Sequence, residues 1–235
     1  MKRKVTLTGF AIAALASLAL AASLSFAPFG ETVNNGGGSY TLISDTNAGH
    51  VGYGGLDYST PASFAFSDIN YLGTQQTPDA GDTCVGGSPR FQLNVDTNGD
   101  GSADGNVFVY TQFVPGGCPG DTGNLAVSGG NGEIVGTYDL SQVGGSVYTN
   151  YTGAAAFFAS NPTYKIVGIQ LVVDSGWAFS DGRQAITVTP TVDVTLHPPA
   201  NMGACKKGGW QTVARQDGST FKNQGDCIQY VNTGK

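Results

Sequence analysis

Five oxygen-bearing residues fall at alternate positions in one short stretch of this chain: Asp96, Asn98, Asp100, Ser102 and Asp104, with Gly101 among them. Alternate side chains in a tight loop converge, and a hard cation such as Ca2+ takes about six to eight oxygens from a flexible cage. Asp96, Asn98 and Asp100 stand at positions 1, 3 and 5 of such a cage. Gly101 permits the sharp turn, the Ser102 carbonyl adds an oxygen and Asp104 closes the set. Three carboxylates this close repel one another unless a cation lies between them. The expected ligand is therefore Ca2+, and the competing reading is an ordinary polar turn, since Asp, Asn and Gly are turn residues. An EF-hand is disfavoured, because the position that should carry a bidentate Glu is Val107.

The loop needs two strands to hold it. Residues 91–95 read FQLNV, with Phe91, Leu93 and Val95 alternating against Gln92 and Asn94, and residues 106–110 read NVFVY. The first is the period-2 pattern of a half-buried strand, and the second is rich in the β-branched and aromatic residues that strands prefer. A hairpin with the acidic loop at its tip is expected. The spacing D-x-N-x-D-G-x-x-D between two strands resembles the calcium hairpin loops of integrin alpha-subunit propeller repeats. That resemblance covers Asp96 to Asp104 alone and implies a loop type, not a propeller.

The chain opens on Met1-Lys2-Arg3-Lys4 and an alanine-rich apolar run to about Ala22. This is the pattern of a secretory signal peptide over residues 1–22, and it predicts a protein that is secreted or held at the cell surface after cleavage. No later stretch is apolar enough to span a bilayer. Of the 17 acidic residues only Glu31 and Glu133 are Glu. Asp favours turns and Glu favours helices, so this bias, with 36 glycines, argues for an all-β chain. Four cysteines in an exported chain suggest disulfides, and four allow three connectivities. Cys84–Cys118 and Cys205–Cys227 are favoured because each pair lies within one region of distinct composition. Each closure is worth roughly 3 kcal/mol.

Taken in order, residues 30–38 read as a flexible lead-in, 40–44 as a strand, 51–58 as an edge strand or loop, and 62–69 as a strand with Phe64 and Phe66 on one face. Residues 73–88 read as a long polar connection. After the hairpin, 133–140 reads as a strand and 148–160 as a short helix capped by Thr152. Residues 164–174, apolar on both faces, read as a central strand, and 184–196 as a strand or pair broken at Pro190. The sum is a β-sandwich over residues 23–199, with a jelly-roll arrangement expected and one short helix.

His197-Pro198-Pro199 is a stiff linker, and the composition changes beyond it. Residues 200–235 carry five basic residues and two acids, whereas residues 23–199 carry three and fifteen. A small C-terminal module stapled by Cys205–Cys227 is expected. It reads C-K-K-G-G-W, a spacer, then F-K-N-Q-G-D-C-I-Q-Y-V. Cys205, Lys206, Gly208, Gly209, Trp210, Phe221, Asn223, Gln224, Gly225, Cys227 and Val231 fit a C-K-x-G-G-W…F-x-N-Q-G-x-C-V-x-x-V motif. That motif ends many uncharacterised secreted bacterial β-sandwich proteins. The body, through GSPRFQL and GIQLVVDSGW, is similar to the domains that accompany such tails. The resemblance implies bacterial export and supplies no activity.

No catalytic constellation is legible. The two histidines, His50 and His197, lack a G-x-S-x-G elbow, and there is no H-E-x-x-H helix or phosphate-cradling glycine loop. The acidic body disfavours nucleic acid. Trp177, Tyr148 and Tyr151, with Tyr164 near them, are candidates for a sugar-stacking platform, although packing the core is the commoner use of such rings. The expected function is a non-catalytic, calcium-stabilised β-sandwich that binds a surface glycan or cell-envelope polymer. Two rivals are a structural or adhesive surface protein that contacts other proteins, and a glycan hydrolase using two aspartates.

Overall fold

The computed structural model describes residues 26–58, 60, 63–84, 88–114, 118, 120–176, 182–199, 201–211, 213–215 and 219–235. The expected signal peptide and Trp177 lie outside the described residues.

Two antiparallel sheets form the body. The six-stranded sheet has the order β1 (Phe26–Gly30), β4 (Gly54–Tyr58), β10 (Lys165–Val173), β6 (Arg90–Asp96), β7 (Gly105–Tyr110), β9 (Tyr138–Asp139). The five-stranded sheet has the order β2 (Thr32–Gly36), β3 (Ser39–Asp45), β11 (Arg183–Val194), β5 (Ile69–Pro78), β8 (Gly120–Asp121). Most connections cross from one sheet to the other, the wiring a jelly roll requires. A single core joins Phe91, Leu93, Val95, Val107, Val109, Ile169 and Leu171 of one sheet to Leu42, Ile186, Val188 and Leu72 of the other. All of these are buried, and each contributes roughly 1.5–3 kcal/mol relative to exposure. The chain is an all-β sandwich, and β10 occupies the central position that its two-sided apolar pattern predicts. Helix α1 (Tyr151–Ser160) lies within the predicted span, but its cap is Asn150, whose side chain accepts from the Gly153 amide at 2.9 Å, and not Thr152.

Several expectations need correction. Residues 30–38 are not a lead-in: β1 ends at Gly30 and Thr32–Gly36 form β2, each strand on the edge of its sheet. Among the described residues before Ile69, the stretch 62–69 carries an isolated bridge at Phe64 and a 3-10 turn, and the strand β5 starts at Ile69 and runs to Pro78, into the stretch 73–88 read as a polar connection. The inward-facing Thr74 of β5 is satisfied locally, its Oγ1 donating to the Gln75 carbonyl at 2.8 Å, while Thr122 pairs with the Thr74 backbone: Thr122 Oγ1 accepts from the Thr74 amide at 2.8 Å, and the Thr122 amide donates to the Thr74 carbonyl at 2.9 Å. Of residues 133–140 only Tyr138 and Asp139 pair as a strand. Pro190 does not break β11. It lies past the last β3 residue in register, where β11 has a neighbour on one side only and a missing amide is tolerated.

Both disulfides form as favoured, Cys84–Cys118 with Cα atoms 5.3 Å apart and Cys205–Cys227 with 5.7 Å. In the tail, Trp210, Val213, Ile228, Tyr230 and Val231 pack on the second bridge and Phe221. A second helix, α2 (Gln224–Thr233), starts at Asn223, which accepts from the Asp226 amide at 3.0 Å, and ends at Gly234 with φ 70°. Arg215 lies over the Phe221 ring at 4.6 Å and donates to Asp226 at 2.7 Å.

Two expected outcomes follow from this packing. Gln76 on β5 is buried, and among the described residues neither its Nε2 nor its Oε1 has a hydrogen-bond partner. A buried unpaired amide costs about 1–3 kcal/mol, so Gln76→Met, close in volume, should raise the unfolding free energy in urea by an amount of that order. The Asp226 carboxyl is held below the usual range, first by the Lys222 amide and then by Arg215. Its contribution is therefore present above the unfolded value of about 3.9 and lost as pH falls through the lower folded value. Hydrogen exchange of α2 amides, corrected for intrinsic rates, should accelerate on acidification below that point, and Asp226→Asn should remove the step.

Candidate functional site

The predicted hairpin is present, with β6 and β7 paired from Arg90↔Tyr110 to Val95↔Gly105 and the acidic loop between them. Asp96 is buried at the loop base. Its Oδ1 accepts from the amides of Asn98 (3.1 Å) and Gly99 (2.7 Å), and its Oδ2 from Gly101 (2.8 Å). The same turn repeats along the loop: Asn98 Oδ1 accepts from the Asp100 amide at 2.9 Å and Asp100 Oδ1 from Ser102 at 2.7 Å. Asp104 accepts from the Thr97 amide (2.7 Å), the Thr97 hydroxyl (2.8 Å) and Asn98 Nδ2 (2.9 Å), and the Thr97 amide is the main reason its carboxyl lies below the usual range. The donor set is oxygen-only and therefore suited to a hard cation. The three aspartates are not gathered tightly here. Among the described residues, the one set of three acidic, His or Cys side chains with ligand atoms all within 4.8 Å is Glu31, Asp45 and His50.

The outer face of the six-stranded sheet holds a second arrangement. Register places Asp57, Gln170, Gln92 and Phe108 in one row across β4, β10, β6 and β7. The row is hydrogen-bonded along its length: Gln92 Nε2 donates to Gln170 Oε1 at 3.0 Å, and Gln170 Nε2 donates to Asp57 Oδ1. One step along the strands, Asn94 Nδ2 donates to Asn106 Oδ1 at 2.9 Å. On the other side of the row Arg90 pairs with Asp174 at 2.7 Å and lies over the Phe108 ring at 4.6 Å.

This polar row runs into aromatic rings. Tyr110, Phe113 and Tyr148 form a triangle with centroids 5.6, 6.0 and 6.0 Å apart, and Phe108 adjoins Tyr110 at 6.4 Å. Phe113 is 37% exposed and Tyr148 54%, an unusual display for rings of this size. Tyr148 also has φ 56°, a left-handed conformation that a bulky side chain rarely takes. Tyr110 is fixed in place: burial first, then the Asp139 carboxylate that its hydroxyl bonds, push its titration up and keep it neutral. Of the predicted stacking residues, Tyr148 belongs to this patch. Tyr151 packs on the core instead, stacked on Phe66 at 5.7 Å, and Tyr164 packs edge-on to Phe157.

No family model matches the chain, and no curated protein matches it. Solved structures similar to the chain include the xyloglucanase domain of NopAA, a type three effector from Sinorhizobium fredii, in complex with cellobiose, at 11% identity and a TM-score of 0.33 over 72% of this chain and 92% of that one. At that overlap the likeness carries no argument.

Two further clusters lie elsewhere. Glu31 stands at the crossover between β1 and β2, with His50 Nδ1 2.9 Å from its Oε1 and 3.5 Å from Asp45 Oδ2. The Asp45 carboxyl is lowered mainly by the Asn47 amide. Where body and tail meet, a cavity of about 290 Å³ is lined by residues including Phe64, Asp68, Lys165, His197 and Val213. His197 pairs with Asp68 at 2.9 Å. Ser63 shares the lining, yet among the described residues no hydrogen bond joins it to His197, as a nucleophile relay would need.

Sequence reasoning passed over Asp57, Gln92, Gln170, Tyr110 and Phe113, since each is an unremarkable strand or turn residue until strand order sets them side by side. The left-handed backbone at Tyr148 yields its own test. Tyr148→Gly and Tyr148→Ala lose the same ring, but only Gly accepts φ 56° freely. The Gly variant should be the more stable by about 1 kcal/mol in thermal or urea unfolding, the reverse of the usual order.

Proposed function

We propose that this protein is exported and binds a glycan of the cell surface or envelope, without catalysis, on the outer face of its six-stranded sheet. The observation that carries this reading is the exposed Tyr148–Phe113–Tyr110 cluster continuing into the Asp57–Gln170–Gln92 row. Sugars present apolar C–H faces that rest on aromatic rings and hydroxyls that both donate and accept, and this face offers the complement of each. The spacing of its carboxylates supports binding over hydrolysis. Asp57 and Asp139 occupy the same row four strand spacings apart, about 19 Å, whereas a glycosidase pair stands about 5–9.5 Å apart. A left-handed backbone under an exposed tyrosine also supports a site, because such conformations gather where function requires them.

Calcium enters the proposal as a stabiliser. Asp96, Asn98, Asp100, the Ser102 carbonyl and Asp104 would hold it, and bound there the ion would draw together and neutralise the carboxylates at the end of the hairpin whose strands carry Gln92 and Phe108. The export signal at residues 1–22 supplies the compartment, since extracellular calcium is abundant enough for a modest site.

A second reading, a surface protein that contacts other proteins, is favoured by Val147 (52% exposed), next to Tyr148 in the chain, and Val135 (74% exposed), next to Gly136, which the Phe113 ring faces.

Depletion of the purified protein from solution by insoluble polysaccharides and bacterial cell-wall preparations, in calcium and in EDTA, separates these readings. Depletion by at least one polymer is expected, together with a calcium-dependent rise in melting temperature that Asp100→Ala abolishes. No depletion in either buffer would favour the protein-contacting reading, and a melting temperature indifferent to calcium would remove the ion.

A further inference from the structure

The chemistry of that face narrows the ligand. Resting on the glycan reading, we propose that it takes a neutral polysaccharide whose chain lies across the strands, with pyranose rings on Tyr148, Phe113 and Tyr110 and hydroxyls along Gln92, Gln170 and Asp57.

Charge is the first argument. A polyanion needs a row of cations facing it, and the body has only three basic residues, Arg90, Lys165 and Arg183, against fifteen acids. Arg90 is engaged by Asp174 at 2.7 Å and lies flat on Phe108. Lys165 stands at the far end of β10, opposite Asp96 in register, and lines the cavity at the tail. Arg183 opens β11, in the other sheet. What the row itself presents is two neutral amides and one exposed carboxylate, Asp57, which would repel an anionic chain.

Hydrogen-bond polarity is the second. Because Asp57 can only accept, Gln170 must turn its amide nitrogen toward it, and Gln170 Oε1 then receives Gln92 Nε2. Every amide in the row points the same way. Each nitrogen keeps a second proton, and Gln92 Oε1 keeps its lone pairs, so the row offers donors and acceptors in alternation. A hydroxyl group matches that alternation and an ion does not.

Length is the third. Asp57 to Phe108 spans three strand spacings, about 14 Å, before the aromatic triangle begins. That exceeds one pyranose ring, so the face suits a chain and not a monosaccharide. Stacking on the rings also requires a pyranose with at least one unobstructed C–H face.

Affinity electrophoresis of the purified protein in native gels tests this, with hydroxyethylcellulose and galactomannan as neutral probes and polygalacturonate and alginate as anionic ones. Retardation by a neutral polymer, insensitive to added NaCl, is expected. Gln92→Ala and Gln170→Ala together should weaken it at least tenfold, Tyr148→Gly should weaken it comparably, and circular dichroism should show all variants folded. Retardation by the anionic polymers alone, abolished by salt, would overturn the neutral class while leaving the glycan reading in place. Neutral binding unchanged in all these variants would overturn the face as the site. Retardation by none of the polymers, joined to no depletion by solid polysaccharides, would take down the glycan reading itself.

Discussion

The register of β10 between β4 and β6 is the constraint on which the rest depends. Ile169 and Leu171 lie beside Leu93 and Phe91 on one side and beside Tyr58 and Leu56 on the other, all in the core. Side chains alternate with a period of two, so a slip of one residue would drive Gln170 into that core and expose its apolar neighbours. Burial of the inner set therefore fixes the outer set without any selection acting on the outer face directly. The amide row is aligned because the leucines, isoleucine and phenylalanine behind it are aligned. A binding face built this way inherits the rigidity of the core, which a face built on loops would lack.

Much of the architecture was legible in the residues. Phe91, Leu93 and Val95 announced β6 by alternation, and the apolar run of β10 announced a strand with a sheet neighbour on each side. Cysteine placement within regions of distinct composition anticipated both bridges. The misreadings have physical causes. β5 carries Thr74 and Gln76 on its inner face, where pattern reasoning expects apolar side chains, and the first is satisfied by the Gln75 carbonyl of its own strand. The strands β1 and β2 hold prolines, asparagines and glycines that edge positions tolerate and central ones do not. Pro190 was read as a break because its neighbour on the β3 side could not be known to stop short.

The candidate site was legible only in part. The acidic loop declared itself because all its chemistry lies within nine consecutive residues, from Asp96 to Asp104. The sheet face did not, because its members come from residues 57, 92, 110, 113, 148 and 170, and only strand order brings them together. Tyr148 was singled out as an aromatic residue. Its exposure and left-handed backbone, which separate it from the core-packed Tyr151, are properties of the loop around it and not of its own type. The cluster of Glu31, Asp45 and His50 was invisible for the same reason: a crossover, a strand end and a loop meet there.

The position of β10 and β11 in the chain has a consequence for how the molecule is made. Each is the central strand of its sheet, and both are synthesised after nearly every strand they pair with. Until Val173 is available β4 and β6 face each other across a gap, and until Val194 is available β3 and β5 do likewise. The export proposed above would carry the chain across its membrane unfolded, and this order of assembly suits that requirement. The nascent protein has no way to close a sandwich early, so it stays open until the last long strand arrives and the second sheet seals against the first.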